Sequence, residues 1–150
     1  MYRLVISSPI GALTLHSDGA ALTALRFGAD GSDAGACPLL HRAAGELAAY
    51  FRGELRTFSV PLSPAGTDFQ RSVWDALATI PYGQTASYRD VARTIGNPRA
   101  CRAVGTANHR NPLPILIPCH RVVGSDGSLT GYAGGLQRKQ FLLALEKQHR

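Results

Sequence analysis

The sequence predicts an α+β fold: a small antiparallel β-sheet plus a helix in an N-terminal lobe, then a helical C-terminal lobe with a helix-turn-helix and a cysteine-bearing loop. Three observations predict it. Short N-terminal stretches alternate apolar and polar residues between turn signals such as Pro9-Ile10-Gly11 and Asp18-Gly19, the pattern of half-buried strands. Beyond Thr67, apolar residues recur every three or four positions behind Thr, Ser or Asn, the pattern of capped helices. Charge divides the same way. Residues 1–66 hold five Arg and five acidic residues, whereas residues 67–150 hold nine Arg and two Lys against five, so the whole formal excess of +6 lies in the second part. A one-sided basic excess favours a polyanionic partner, a basic solvated face being the alternative.

The totals bound the answer. A chain of 150 residues, 45% apolar and 17% charged, suits one soluble domain or two small lobes, and we expect the lobes over 1–63 and 64–150. No run of eighteen apolar residues occurs and the N-terminus lacks a signal-like stretch, so neither a membrane span nor secretion is expected. Three widely spaced cysteines argue against a disulfide framework and for a reducing compartment, the cytoplasm. No paired Cys/His spacing suggests a metal site.

Taken in order, Tyr2 to Ser7, Ala12 to His16 and Ala21 to Phe27 read as three strands. Gly28 to Pro38, rich in Gly, Ala, Asp and Ser, reads as a mobile loop; Cys37 within it is assigned no role. Leu39 to Arg52 is an amphipathic helix closed near Gly53, and Phe58, Val60 and Leu62 alternate as a short strand. Pro61, Pro64 and Gly66 mark a linker. Nothing in this lobe suggests chemistry, and a scaffold is its expected role.

The second lobe opens on Thr67-Asp68-Phe69-Gln70, a capping box. Phe69, Val73, Leu77 and Ile80 follow at helical spacing up to Pro81-Tyr82-Gly83, with Trp74 read as core. Ser87-Tyr88-Arg89-Asp90 caps a short helix that Gly96 ends. Asn97 then caps a second, with Pro98 at its first position, running to about Asn108. The pair forms a helix-turn-helix. Ala100, Val104 and Ala107 share one face of the second helix and Arg99, Arg102 and Thr106 another. Small side chains and Gly105 would allow close approach to a nucleic-acid groove. Gly131 to Gly135 reads as a flexible loop before a helix from Leu136 to about Lys147, with Leu136, Phe141, Leu142, Leu143 and Leu145 expected to be buried. Glu146, in its last turn, opposes the helix dipole; it is either a solvated carboxylate or a buried partner for an imidazole.

The chemical centre is Pro118-Cys119-His120-Arg121, which follows three large aliphatics. Buried cysteines are commonly small inert hydrophobes, and burial raises a thiol pKa. A neighbouring imidazole, with Arg121 adding positive charge, would draw off the proton and stabilise the thiolate. Pro112, Pro114 and Pro118 stiffen the approach, which is costly to build for packing alone.

With this core, the segment from Arg102 to Val123, extended over most of residues 67 to 146, closely resembles the O6-alkylguanine-DNA alkyltransferases (methylated-DNA–protein-cysteine methyltransferases). The resemblance implies direct-reversal DNA repair: the damaged base is flipped out of the duplex and the alkyl group of O6-alkylguanine, and of O4-alkylthymine, moves to Cys119. His120, through a bound water, would take the thiol proton. Glu146 would orient His120, and Asn111 would brace the turn. Arg102 would be the finger filling the space left by the base. Tyr88 would rotate the 3′ phosphate and protonate the leaving guanine. Arg99, Ala103, Gly105 and Thr106 would join them on DNA, in the minor groove. Tyr132, Ala133 and Gly134 would line the pocket, with backbone groups of Cys119 and Val122 reading the base edge and Pro114 packing on larger alkyl groups.

The resemblance further implies single turnover, no cofactor, no metal, double-stranded alkylated DNA as partner, a bacterial cytoplasmic setting, and a monomer that can cluster on DNA. Thr106 stands where many members carry glycine, and Ala133 where some offer a serine hydroxyl. The first lobe matches weakly. Competing readings are a non-catalytic lesion-binding relative, a helix-turn-helix regulator and a Cys-His hydrolase.

Overall fold

A computed structural model describes residues 1–35 and 37–150; Ala36, within the expected 28–38 loop, lies outside the described residues. The chain forms two compact units, Met1–Ala65 and Gly66–Arg150.

In the first unit, β1 (Tyr2–Ile6), β2 (Leu13–Ser17) and β3 (Leu22–Phe27) form an antiparallel meander in the order β1-β2-β3. The register pairs Leu4 with Leu15 and Leu15 with Leu25. Leu13, Leu15, Leu22 and Leu25 are buried, whereas β1, at the edge, is half-buried along its length. Helix α1 (Pro38–Phe51) starts on its proline, whose missing N–H costs nothing there. It buries Leu40, Ala43, Leu47 and Tyr50 and packs on β1 and β2. Gly53, at φ +76°, follows its end as expected.

Two expectations are corrected here. The expected loop is present, but its residues 32–34 are tied to β1 rather than free. Arg3 and Ala34 exchange backbone hydrogen bonds of 2.9 Å, Arg3 Nε donates to Ser32 O and Val5 N to Asp33 Oδ1, so this segment covers the open edge of β1. Residues 58–62 do not form a strand. The amides of Ser59 and Val60 donate to the Glu46 carboxylate of α1, and Pro61 has no N–H to give. What remains is one isolated bridge between Leu22 and Leu62.

In the second unit α2 (Asp68–Leu77) begins with the predicted box: Thr67 Oγ1 accepts from Gln70 N, and Gln70 Oε1 from Thr67 N. It ends at Leu77, short of Ile80, in tighter turns closed by Thr79 N to Ala76 O and Ile80 N to Leu77 O. Trp74 is core, 2% exposed, with Nε1 donating to Ala107 O at 2.9 Å. A two-residue strand β4 (Ala86–Ser87), absent from the sequence reading, pairs in parallel with β5 (Val122–Val123). Ser87 and Asp90 form the second capping box, opening α3 (Tyr88–Thr94), and Gly96 sits at φ +78° beyond it.

Helix α4 spans Cys101–His109. It starts three residues later than the expected Pro98, because Asn97 O accepts from Ala100 N and so closes a turn rather than a helix cap. Arg99 therefore lies in the turn and Arg102 in the first helical turn. Helices α2, α3 and α4 pack on one another.

Helix α5 (Leu136–His149) differs from expectation in its buried face. Leu136 is 50% and Phe141 38% exposed, while Lys139, Leu142, Leu145 and Glu146 are buried. Leu142 and Leu145 are buried as expected and Leu143 is half-buried, while the polar Lys139 and Glu146, which bond inward, share the buried face in place of Leu136 and Phe141.

Gly66 lies so close to Trp74 that a Cβ there would fall 2.5 Å from the indole Cη2. Gly66→Ala is expected to cost roughly 1–3 kcal/mol. Urea unfolding followed by the fluorescence of Trp74, the one tryptophan of the chain, measures it, and an unchanged midpoint contradicts the packing described.

Candidate active site

Residues 110–118 leave α4 and turn back through the buried unit to a single 3-10 turn, Cys119–Arg121. Asn111 braces this return: its Oδ1 accepts from Leu113 N at 3.0 Å and its Nδ2 donates to Ile117 O at 2.8 Å. Those bonds hold Ile115 at φ +76°, the left-handed region that a β-branched side chain disfavours. Cys119 N donates to Ile117 O at 2.7 Å, and Asn108 Nδ2 approaches Cys119 O at 3.4 Å. Cys119 is 3% exposed.

Glu146 is the hub behind the turn. Its Oε2 lies 2.7 Å from His120 Nε2 and accepts from Arg121 Nη2 at 3.0 Å. Its Oε1 accepts from Arg121 Nε at 2.8 Å and from Gly83 N at 3.2 Å. Both His120 and Glu146 are buried; of the two roles considered for Glu146, the structure has the imidazole partner. A carboxylate can only accept, so His120 Nε2 carries the proton and Nδ1 is the basic nitrogen. His120 Nδ1 is buried with no hydrogen-bond partner among the described residues. Burial pushes the His120 pKa down; Glu146 pulls it back, and Arg121 and Lys139 oppose that pull. The result is a neutral imidazole able to accept a proton.

The thiol corrects the expectation of an ionised sulfur. Burial pushes the Cys119 pKa up to about 11, against the downward pulls of Asn111, Lys139, its own backbone and Tyr132, so the resting form is the thiol. Arg121 does not serve the sulfur as expected. Its guanidinium is occupied by Glu146, by Ile80 O at 2.7 Å and by the face of Tyr82 at 5.7 Å.

Sequence reasoning missed Lys139, the cation that does act on the thiol. It is fully buried, and its Nζ donates to Val122 O at 2.6 Å and Thr130 O at 2.9 Å. A signal existed: Lys139 stands seven residues before Glu146, two turns along the same face of α5.

The other expected site residues divide between the buried interior and the surface. Pro114, Val122, Tyr132 and Gly134 are buried, and Ala133 is exposed. Tyr132 and Cys119 influence each other's titration: burial, and then the Cys119 charge, push the Tyr132 pKa up, while Tyr132 pulls that of Cys119 down. Arg99, Arg102, Ala103 and Thr106 are exposed, and Gly105 is half-buried beneath the ring of Tyr88. A groove of about 620 Å³ runs between the start of α2 at Thr67, Phe69 and Gln70 and the Arg99, Arg102 and Thr106 face.

A helix-turn-helix with arginines on its open face, backed by a buried Cys119 and a bonded His120–Glu146 pair, belongs to the class of nucleophilic-cysteine proteins built on a nucleic-acid-binding scaffold. Comparison with known proteins narrows this. Residues 68–148 match the family described as 6-O-methylguanine DNA methyltransferase, DNA binding domain, and residues 1–64 its ribonuclease-like domain. A methylated-DNA–protein-cysteine methyltransferase of Methanosarcina barkeri is 50% identical over 99% of both chains. One from Mycolicibacterium paratuberculosis is 52% identical over 99% of this chain and 93% of its own. Among solved structures, Mycobacterium tuberculosis OGT in complex with DNA has a TM-score of 0.91 at 51% identity, covering 98% of this chain and 93% of the other. The chain belongs to the 6-O-methylguanine DNA methyltransferase family. The ribonuclease-like match extends the likeness through the first unit, where the sequence had suggested only a weak one.

Two outcomes test the electrostatics. Labelling of Cys119 by iodoacetamide in DNA-free protein is expected to rise about tenfold per pH unit from about pH 7 to about pH 9, read by peptide mass spectrometry to separate it from Cys37 and Cys101. A plateau near pH ~8.5, the ordinary thiol value, would contradict the buried, protonated site. His120 acts on stability. Its folded pKa lies below the ordinary 6.5, so its contribution is present above that value and is lost as pH falls and the unfolded chain takes up the proton. The wild-type unfolding midpoint should therefore fall more steeply below about pH 6.5 than that of His120→Gln; parallel slopes would contradict it.

Proposed function

We propose that this chain performs direct-reversal repair of DNA, moving the alkyl group of O6-alkylguanine, and of O4-alkylthymine, irreversibly onto Cys119. The observation that carries this reading is the buried Cys119 turn with His120 bonded to Glu146 and its second nitrogen unpartnered. A scaffold or a pure DNA-binding regulator has no use for that arrangement. A hydrolase would have to release an acyl group, whereas an alkyl cysteine is a stable thioether.

The electron and proton balance follows from the groups present. Arg102, on the exposed first turn of α4, enters the minor groove and fills the space of the extruded base. Arg99, Ala103, Gly105 and Thr106 lie along the duplex; Thr106 makes a bulkier contact than glycine would. The base enters beside Tyr132, Ala133 and Gly134, with Pro114 against the alkyl group and the backbone of Cys119 and Val122 on the base edge. Ala133 can offer the base only its backbone. The thiol proton passes through a water to His120 Nδ1, and Glu146 stabilises the imidazolium that forms. Sulfur attacks the alkyl carbon, and the C–O electron pair leaves with guanine. Tyr88 supplies the proton that makes guanine a tolerable leaving group.

No co-reactant enters this balance. The first unit serves as scaffold and the second, Gly66–Arg150, carries DNA binding and transfer. We infer a bacterial cytoplasmic protein that acts as a monomer and can cluster along the duplex; the three free thiols suit a reducing compartment.

Exposure to a duplex carrying O6-methylguanine is expected to add the mass of one methyl in place of hydrogen at Cys119, once per molecule. Cys119→Ala should bind the same duplex within about twofold of wild type, a surface contact being retained, and take up nothing. Repeated turnover, or modification elsewhere, overturns the reading; intact-mass and peptide analysis decide it.

A further inference from the structure

We propose that Thr130 is a positioning residue for the transfer, its hydroxyl donating to Tyr88 so that the Tyr88 proton is aimed at the departing base. The inference rests on the reading above, in which Tyr88 protonates guanine.

Tyr88 is the first residue of α3, and its hydroxyl lies 2.8 Å from Thr130 Oγ1, forty-two residues away in sequence. Its ring rests beside Gly105 of α4, where a Cβ would lie 3.8 Å from the ring edge. The ring is thus held by packing, but a phenol O–H still rotates between its in-plane positions. A threonine hydroxyl can donate or accept. When it donates to the Tyr88 oxygen, the phenol proton must point elsewhere and is free for an incoming base. As that proton leaves, negative charge grows on the Tyr88 oxygen, and a donor already in place stabilises it without reorganisation.

The same residue is tied to the thiol by its other end. Thr130 O accepts from Lys139 Nζ, the buried cation that draws on Cys119. One residue therefore spans the proton donor at the base and the cation at the nucleophile. The proton that leaves Tyr88 goes to guanine. The one taken up by His120 returns to solvent, from which Tyr88 is reprotonated, so the balance closes.

The side-chain role separates cleanly from the main-chain one. Thr130→Val keeps shape and the carbonyl that holds Lys139 but removes the hydroxyl, and Thr130→Ala removes the same hydroxyl without β-branching. Timed quench and intact mass give the single-turnover rate on saturating O6-methylguanine duplex; fluorescence anisotropy gives duplex affinity. Both variants are expected to lose about tenfold in transfer rate, the size of one ordinary hydrogen bond, with affinity unchanged and Thr130→Ser restoring the rate. On a Tyr88→Phe background Thr130→Val should have no further effect. Wild-type rates in both hydroxyl-less variants, or an undiminished loss on the Tyr88→Phe background, overturn the inference. Failure of the wild type itself to take up methyl would instead overturn the proposed function.

Discussion

The second unit is organised around one buried carboxylate. Glu146 receives a bidentate Arg121, the Gly83 amide and His120, and so ties α5 to the Cys119–Arg121 turn and to the turn that closes α2. Taking an arginine and a carboxylate out of water is expensive, and only geometry of this quality repays it. The bidentate fork engages both carboxylate oxygens and fixes the direction of Oε2, which meets Arg121 Nη2 and the imidazole together. Arg121 is therefore what aims Glu146, and Glu146 is what decides which His120 nitrogen is basic.

A second constraint runs along the other face of the same turn. Asn111 and the prolines around it hold an unfavourable backbone at Ile115, and Lys139 binds the carbonyls of Val122 and Thr130. Val122 also belongs to the short parallel pair with β4, which leads directly into Tyr88. The thiol-bearing turn and the start of the helix-turn-helix are thus joined by main-chain bonds within a few residues. A displacement of α3 on docking would be felt at Cys119 without any long relay.

What was legible in the sequence was local. The three strands and both capping boxes depend on residues within a few positions of one another, and each formed where its pattern lay. The Cys119-His120-Arg121 run stood out for the same reason. Errors arose where a distant partner decided. Residues 58–62 alternate like a strand, yet Glu46, thirteen residues before Ser59, takes the amides that a strand would need. The start of α4 is a local exception: Pro98 has the residue type of a helix start, but Asn97 spends its carbonyl on a turn to Ala100. Lys139 was passed over because lysine on an amphipathic helix ordinarily faces water; only the convergence of two backbone carbonyls makes its burial tolerable. The Tyr88–Thr130 bond has no local signature at all.

The resting state of the thiol is where these constraints meet. A cysteine with a depressed pKa is available to oxidants and to any small electrophile. In the proposed chemistry a single alkylation, by whatever agent, exhausts the molecule. Burial that holds Cys119 near 11, with a neutral imidazole and a buried cation close at hand, keeps reactivity latent until a proton can be taken and an alkyl carbon is in reach. In that chemistry an extruded base supplies the second condition. Selectivity then comes from withholding the nucleophile rather than from sharpening it, which is why a site built to react is also among the most deeply buried parts of the chain.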